Sequence, residues 1–201
     1  MIFTRCIPPR RWRDYTRYRS HLRRDFLHRC AYCLSHERFL GGEAGCAIDH
    51  HRPVRGPFAR PDLLADYANL YWACRECNDR KSDTWPNPVD YERGLRFIDP
   101  CAPEGDHDVH WRTLHDGSLE ALTLTGEYTI EILQLWRDQL QYHRTRLYRW
   151  QQERDALVQL LARKRMSPAM RARLESHLLE LSELVEPPVF DRPRQTRPEK
   201  P

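Results

Sequence analysis

The sequence predicts an α+β chain whose small core is stapled by a four-cysteine metal clasp. Three observations carry that expectation. Two CxxC pairs, Cys30/Cys33 and Cys74/Cys77, are separated by forty residues between the inner cysteines. A "DG" pair sits among alternating apolar positions in "HWRTLHDGSLEALTL", which signals a β-hairpin. Ile132, Leu133, Trp136, Leu140, His143, Leu147 and Trp150 recur at helical 3–4 spacing.

The elements follow in order along the chain. Residues 1–29 form a basic lead-in, helical from about Arg11 to His28, with nine arginines against Asp14 and Asp25. Nucleic-acid phosphate is a natural partner for such an arm, and Arg23 and Arg24 are its candidate contacts. A solvated helix face explains the same charges. Residues 30–98 hold the cysteine pairs and most of the chemistry. Residues 99–186 form a β-hairpin and then a helical extension. Within it, Ser167-Pro168 reads as an N-cap and first-turn proline, so two helices pack as a hairpin. Residues 187–201, proline-rich and basic, form a disordered tail.

Bulk properties constrain the class. Charged residues make up 31% of the 201 and the mean hydropathy is −0.82, so the core is modest and a metal staple helps it fold. No stretch of about 18 apolar residues exists, so no membrane span is expected. The first residues have no apolar signal region, which points to the cytoplasm. Without a secretion signal, paired CxxC units read as a metal site rather than as disulfides. Four thiolates make a closed tetrahedral zinc shell with no open position for substrate, so this zinc is structural. Cys6, Cys46 and Cys101 remain as ordinary small hydrophobes.

The clasp encloses "AIDHHRPV", residues 47–54, and brings Asp49 and His50 toward Asn78. The full order is Cys30-x-x-Cys33, Asp49-His50-x-x-Pro53, Asn69-Leu70, then Cys74-x-x-Cys77-Asn78-x-x-Lys81. In this order the chain resembles the HNH endonucleases of the zinc-stapled kind, over about residues 26–85. The ending "NDRKSD" also resembles the HNH domain of RNA-guided CRISPR nucleases. The resemblance implies a ββα-metal core: two strands and a helix gripping one divalent ion. It implies Asp49 and Asn78 as ligands of that ion, His50 as general base, Asn69 as the brace of the loop, and Lys81 near phosphate. Pro53 selects His50 over His51, because the family's base lies three residues before that proline.

The residue chemistry is compatible. Phosphodiester hydrolysis needs a base for water and relief of charge at phosphorus. Histidine titrates near neutral pH. A carboxylate and an amide oxygen make a sparse oxygen site suited to Mg²⁺ or Mn²⁺. Arg52, Arg55 and Arg60 follow in a loop and are candidate DNA-backbone contacts. Tyr71 and Trp72 read as core, and His107, His110 and His115 as surface residues. Arg137 and Arg144, seven apart, could form a stripe facing DNA, another subunit or water.

The leading expectation is a metal-dependent endonuclease acting on DNA, with RNA not distinguished by these motifs. One alternative is a latent nuclease subunit awaiting a partner such as an ATPase in phage defence. The region beyond about residue 98 loosely resembles the C-terminal half of uncharacterised prokaryotic HNH proteins, some of which act beside such an ATPase. The other alternative is a zinc-ribbon module that binds nucleic acid and cuts nothing. The coexistence of Asp49, His50, Asn78 and Lys81 favours the enzyme.

Overall fold

A computed structural model describes residues 3–6, 10–103, 107–162 and 166–185. These residues form an α+β structure with seven helices and two small antiparallel sheets. The tail expected to be disordered lies outside them.

The lead-in helix is shorter than the arginine pattern suggests. A 3₁₀ turn at Tyr15–Tyr18 runs into α1, Arg19–Asp25. Trp12 N donates to the Tyr18 hydroxyl and Asp14 caps Thr16 N, which holds residues 12–14 outside the helix. At the other end Leu27 and His28 take positive φ, and the chain turns toward Cys30.

The central unit is β1, Cys46–His50, antiparallel to β2, Leu70–Cys74, with α2, Arg75–Lys81, following directly. β2 is buried along its whole length, so Tyr71 and Trp72 are core residues as expected. A two-stranded hairpin is marginal alone in water. Here α1 lies against β2 and α2 against both strands. The register pairs Cys46 with Cys74, Asp49 with Tyr71 and His50 with Leu70. Side chains alternate along a strand, so Asp49 and Tyr71 share one face while His50 and Leu70 share the other.

After the short α3 (Pro88–Glu92) and α4 (His107–His110), the expected hairpin forms as β3, Trp111–Thr113, and β4, Leu119–Ala121. Its turn needs Gly117, at φ +81°, where a Cβ would also collide with Gln141 O. The helical pattern then divides into three helices. α5, Leu124–Leu133, is capped by Thr123 and ends at Gln134 in the left-handed region. α6, Asp138–Leu161, and α7, Pro168–Val185, pack as the expected hairpin. The break at 134–137 explains why Trp136, though on the apolar repeat, is half exposed. No helix among the described residues is long and apolar enough to cross a membrane.

Three further expectations are corrected. His107 and His110 are buried rather than superficial, the first packed against Phe3 and Trp111, with its Nε2 bonded to Ala31 O. Cys6 is exposed, while Cys46 is buried as a small hydrophobe would be. Arg137 and Arg144 form no outward stripe. Arg137 is buried, and Arg144 donates to Gly117 O and Leu135 O.

Candidate active site and cysteine clasp

The clasp assembles from two knuckles. Leu34 N donates to Cys30 O, and Ala31 N donates to Trp72 O, which fixes the first knuckle against β2. In the second, Cys74 is the N-cap of α2 and its Sγ accepts from Cys77 N at 3.4 Å. The four sulfurs lie within 4.8 Å of one another, with Cys33 and Cys74 Sγ 4.0 Å apart. A tetrahedral ion with Zn–S bonds of about 2.3 Å would set sulfur–sulfur edges of about 3.8 Å. Hydrogen bonding from Cys30 pulls the Cys33 thiol down, while bonds within the cluster push Cys74 and Cys77 up. Four crowded sulfurs cannot all ionise without a cation among them. The buried Cys₄ group could therefore hold a structural zinc ion, and its donors fit one.

Next to the clasp, β1 and α2 bring Asp49, the His50 carbonyl and Lys81 together. Lys81 Nζ donates to Asp49 Oδ1 at 3.1 Å and to His50 O at 2.7 Å. Tyr32, from inside the first CxxC, donates its hydroxyl to Asp49 Oδ2 at 2.5 Å. Burial and the Asp49 charge push that phenol well above its ordinary range, so it stays a donor. Asp49 is 3% exposed and Lys81 fully buried. Asn78 lies one turn before Lys81 on α2 and is half-buried. In this arrangement the donor set does not fit a divalent ion. An ammonium already sits on Oδ1, a phenol caps Oδ2, and the carboxylate is closed to solvent.

The two histidines are in different environments. His50 Nε2 lies 2.9 Å from Leu64 O. A carbonyl only accepts, so in the neutral ring Nε2 carries the proton and Nδ1 keeps its lone pair. The Tyr15 ring meets the imidazole edge-on at 4.8 Å. His51 instead stacks on Tyr71 at 4.6 Å and meets Trp85 edge-on at 5.4 Å. Burial lowers its pKa to about 4. Asn69 clamps the chain just beyond: Arg52 N donates to its Oδ1 at 2.8 Å, and its Nδ2 donates to Arg52 O at 2.9 Å.

The candidate phosphate contacts are scattered. Arg23 is engaged by Glu37 and Glu43. Arg60 pairs with Asp62 through two bonds. Arg24 and Arg55 are exposed. The Arg52 guanidinium lies over the Trp85 ring at 4.6 Å. Tyr32 and Tyr15 were not singled out by sequence reasoning. Tyr32 stands between two clasp cysteines and Tyr15 within the arginine run, and no spacing rule ties either to Asp49 or His50. Comparison of the chain with family models, with curated proteins and with solved structures found no match.

Proposed function

We propose that this chain is an HNH-type endonuclease that hydrolyses phosphodiester bonds in DNA, and that the arrangement described is its latent form. The observation that carries the reading is the bridge from Lys81 Nζ to both Asp49 and the His50 carbonyl, across 32 and 31 residues of sequence. It gathers the acid, the lysine and the backbone of the histidine at one junction of β1 and α2, with the His50 imidazole on the other face of β1. His50 is the base: its Nε2 is anchored on Leu64 O, which leaves Nδ1 to take a proton from water. His51 is unsuited to that task, being enclosed by Tyr71 and Trp85 and holding its proton only in acid. Asn69 holds the segment after His50 through its two bonds to Arg52.

Latency follows from the state of Asp49. With Lys81 and Tyr32 on its two oxygens, the carboxylate has no side open to Mg²⁺ or Mn²⁺, so activation requires Lys81 to withdraw. A protein partner or the bound nucleic acid would supply that displacement. The clasp keeps β1, β2 and α2 in register while Lys81 moves.

Plasmid nicking with Mg²⁺, Mn²⁺ or no divalent ion tests the reading, with His50→Ala and the exposed His115→Ala beside wild type. Slow, metal-dependent nicking that disappears only in His50→Ala is expected. Nicking that survives His50→Ala would sink the assignment. Latency is read separately, by electron paramagnetic resonance of Mn²⁺. Lys81→Met should bind Mn²⁺ more tightly than wild type, and equal binding would refute the latch.

A further inference from the structure

A cavity of about 460 Å³ opens on the far side of His51, lined by His51, Arg52, Trp85, Tyr91, Arg96 and Asp99 among others. None of Asp49, His50, Asn78 or Lys81 lines it. Its wall carries a column of two rings with a cation at each end. The Arg52 guanidinium lies 4.6 Å from the Trp85 centroid, Trp85 stacks on Tyr91 at 5.6 Å and 26°, and Arg96 lies 5.3 Å from the Tyr91 centroid.

Three polar atoms of this wall lack a partner among the described residues. His51 Nδ1, Arg52 Nε and Trp85 Nε1 are buried without a hydrogen bond. Leaving such groups unpaired is costly, and native structures usually supply them with water or a ligand. The arginines are unequal. Arg60, also on the wall, is neutralised by Asp62. Arg52 and Arg96 have no carboxylate partner among the described ion pairs, and burial with the nearby Arg60 lowers the Arg52 pKa. Asp99 adds an acceptor, with its Oδ1 already held by Tyr71 and by Cys101 N.

We propose that this cavity is a binding site for one nucleotide, with its base against the Trp85–Tyr91 column and its phosphate on Arg52 and Arg96. A flat π-system suits the rings, since base–aromatic stacking tolerates any base. A doubly charged phosphate suits two guanidiniums that have no acid of their own. A carboxylate suits a base amino group or a sugar hydroxyl. Bare phosphate would leave the rings unused, and an apolar ligand would leave both cations buried against it. The volume lies within the range usual for small-molecule sites, about 300–1,000 Å³. The choice of a nucleotide rests in part on the nuclease reading. His51 and Arg52 directly follow His50, so a nucleotide held here would belong either to the strand being cut or to a free effector.

The test is calorimetry on the zinc-loaded full chain without other divalent ions, so that no cleavage is read. The probes are dAMP, a 5′-phosphorylated single-stranded dA decamer, and orthophosphate. Saturable binding of dAMP, or of the decamer alone, is expected, weakened about tenfold or more by Arg96→Gln and by Trp85→Leu. Arg96→Gln is the safer variant, because Arg96 sits at the outer end of the column. Binding of dAMP assigns a free-nucleotide site, and binding of the decamer alone assigns a nucleotide of the polymer. His50→Ala should keep the binding, which separates this inference from the cleavage reading. Unchanged affinity in Arg96→Gln, or orthophosphate binding as tightly as dAMP, would overturn the proposal.

Discussion

Replacing Lys81 by methionine should destabilise the protein far more than a surface lysine substitution would. Lys81 is 0% and Asp49 4% exposed at the side chain, with 3.1 Å between Nζ and Oδ1. Methionine fills much the same volume beside Phe97 but leaves the Asp49 carboxylate buried with only Tyr32 to satisfy it, and frees the His50 carbonyl. Removing one partner of a buried pair costs about 3–5 kcal/mol, because the surviving charge is stranded. At about 2–4 °C per kcal/mol for a chain of this size, Tm should fall by roughly 6–20 °C. Asp49→Asn should cost a similar amount by stranding the ammonium. The double variant Asp49→Asn/Lys81→Met removes both charges and should recover most of the loss, giving a strong coupling in a double-mutant cycle. Denaturant unfolding at pH 7 with zinc held in excess measures all four proteins. A Lys81→Met cost below about 1 kcal/mol, or a double variant equal to the sum of the singles, would refute the buried-pair account.

Other outcomes follow from the same contacts. Purified protein should carry one zinc ion per chain by elemental analysis, and Cys74→Ser or strong chelation should release it and unfold the β1–β2–α2 unit, since metal binding is folding free energy in such sites. His36, stacked on His28 and buried, has its pKa lowered from 6.5 to about 4. Its folded value lies below its unfolded one, so the stability it brings is present above pH 6.5 and is lost as pH falls toward 4. That amounts to at most about 3 kcal/mol. His36→Gln should flatten the stability curve over that window, and parallel curves would contradict the assignment. Arg137→Met should speed zinc release to a chromogenic chelator, because the Arg137 guanidinium lies 3.6 Å from Cys77 Sγ; unchanged release would show that this contact carries no weight.

What the sequence made legible was set by short-range rules. Cys30-x-x-Cys33 and Cys74-x-x-Cys77 announce a four-sulfur cluster because each knuckle is a local turn. Asp116-Gly117 announces a hairpin because the turn needs positive φ at the glycine. The 3–4 apolar spacing announces helices from about residue 128, yet hides the break at Gln134. A single left-handed residue there redirects the chain without interrupting the apolar repeat. At the candidate site, adjacency in the motif told which residues would meet, but not how. Nothing in Asp49-His50 says that Tyr32 would cap one oxygen and Lys81 the other. Those contacts depend on the clasp turning Tyr32 toward β1. The His51 cavity was illegible for a related reason. Its wall draws on residues from 51 to 125, and only the tertiary fold sets Arg52, Trp85, Tyr91 and Arg96 in a column.

The C-terminal half is tied into the candidate site as well as appended to it. Arg137 is the link. Its guanidinium reaches Cys77 Sγ, donates to Leu133 O, and has Nε 3.0 Å from Glu76 Oε1. Beside it, Arg80 on α2 donates to the Gln134 side chain, and Gln139 donates to Glu76. A zinc ion with four thiolates carries net negative charge, so a buried guanidinium against one sulfur offsets charge that water cannot reach. The break between α5 and α6 therefore has a structural role. An uninterrupted helix would continue past residue 134 and could not turn Arg137 and Gln134 onto α2 as this bend does. The helix that carries Asn78 and Lys81 is thus held at its start by the clasp, and along one side by the bend. A force applied to α6 or α7 has a short route through Arg137 and Gln134 to α2, and from there to the Lys81–Asp49 pair. On the proposed reading of a latent nuclease, an activating partner would act at the helical hairpin.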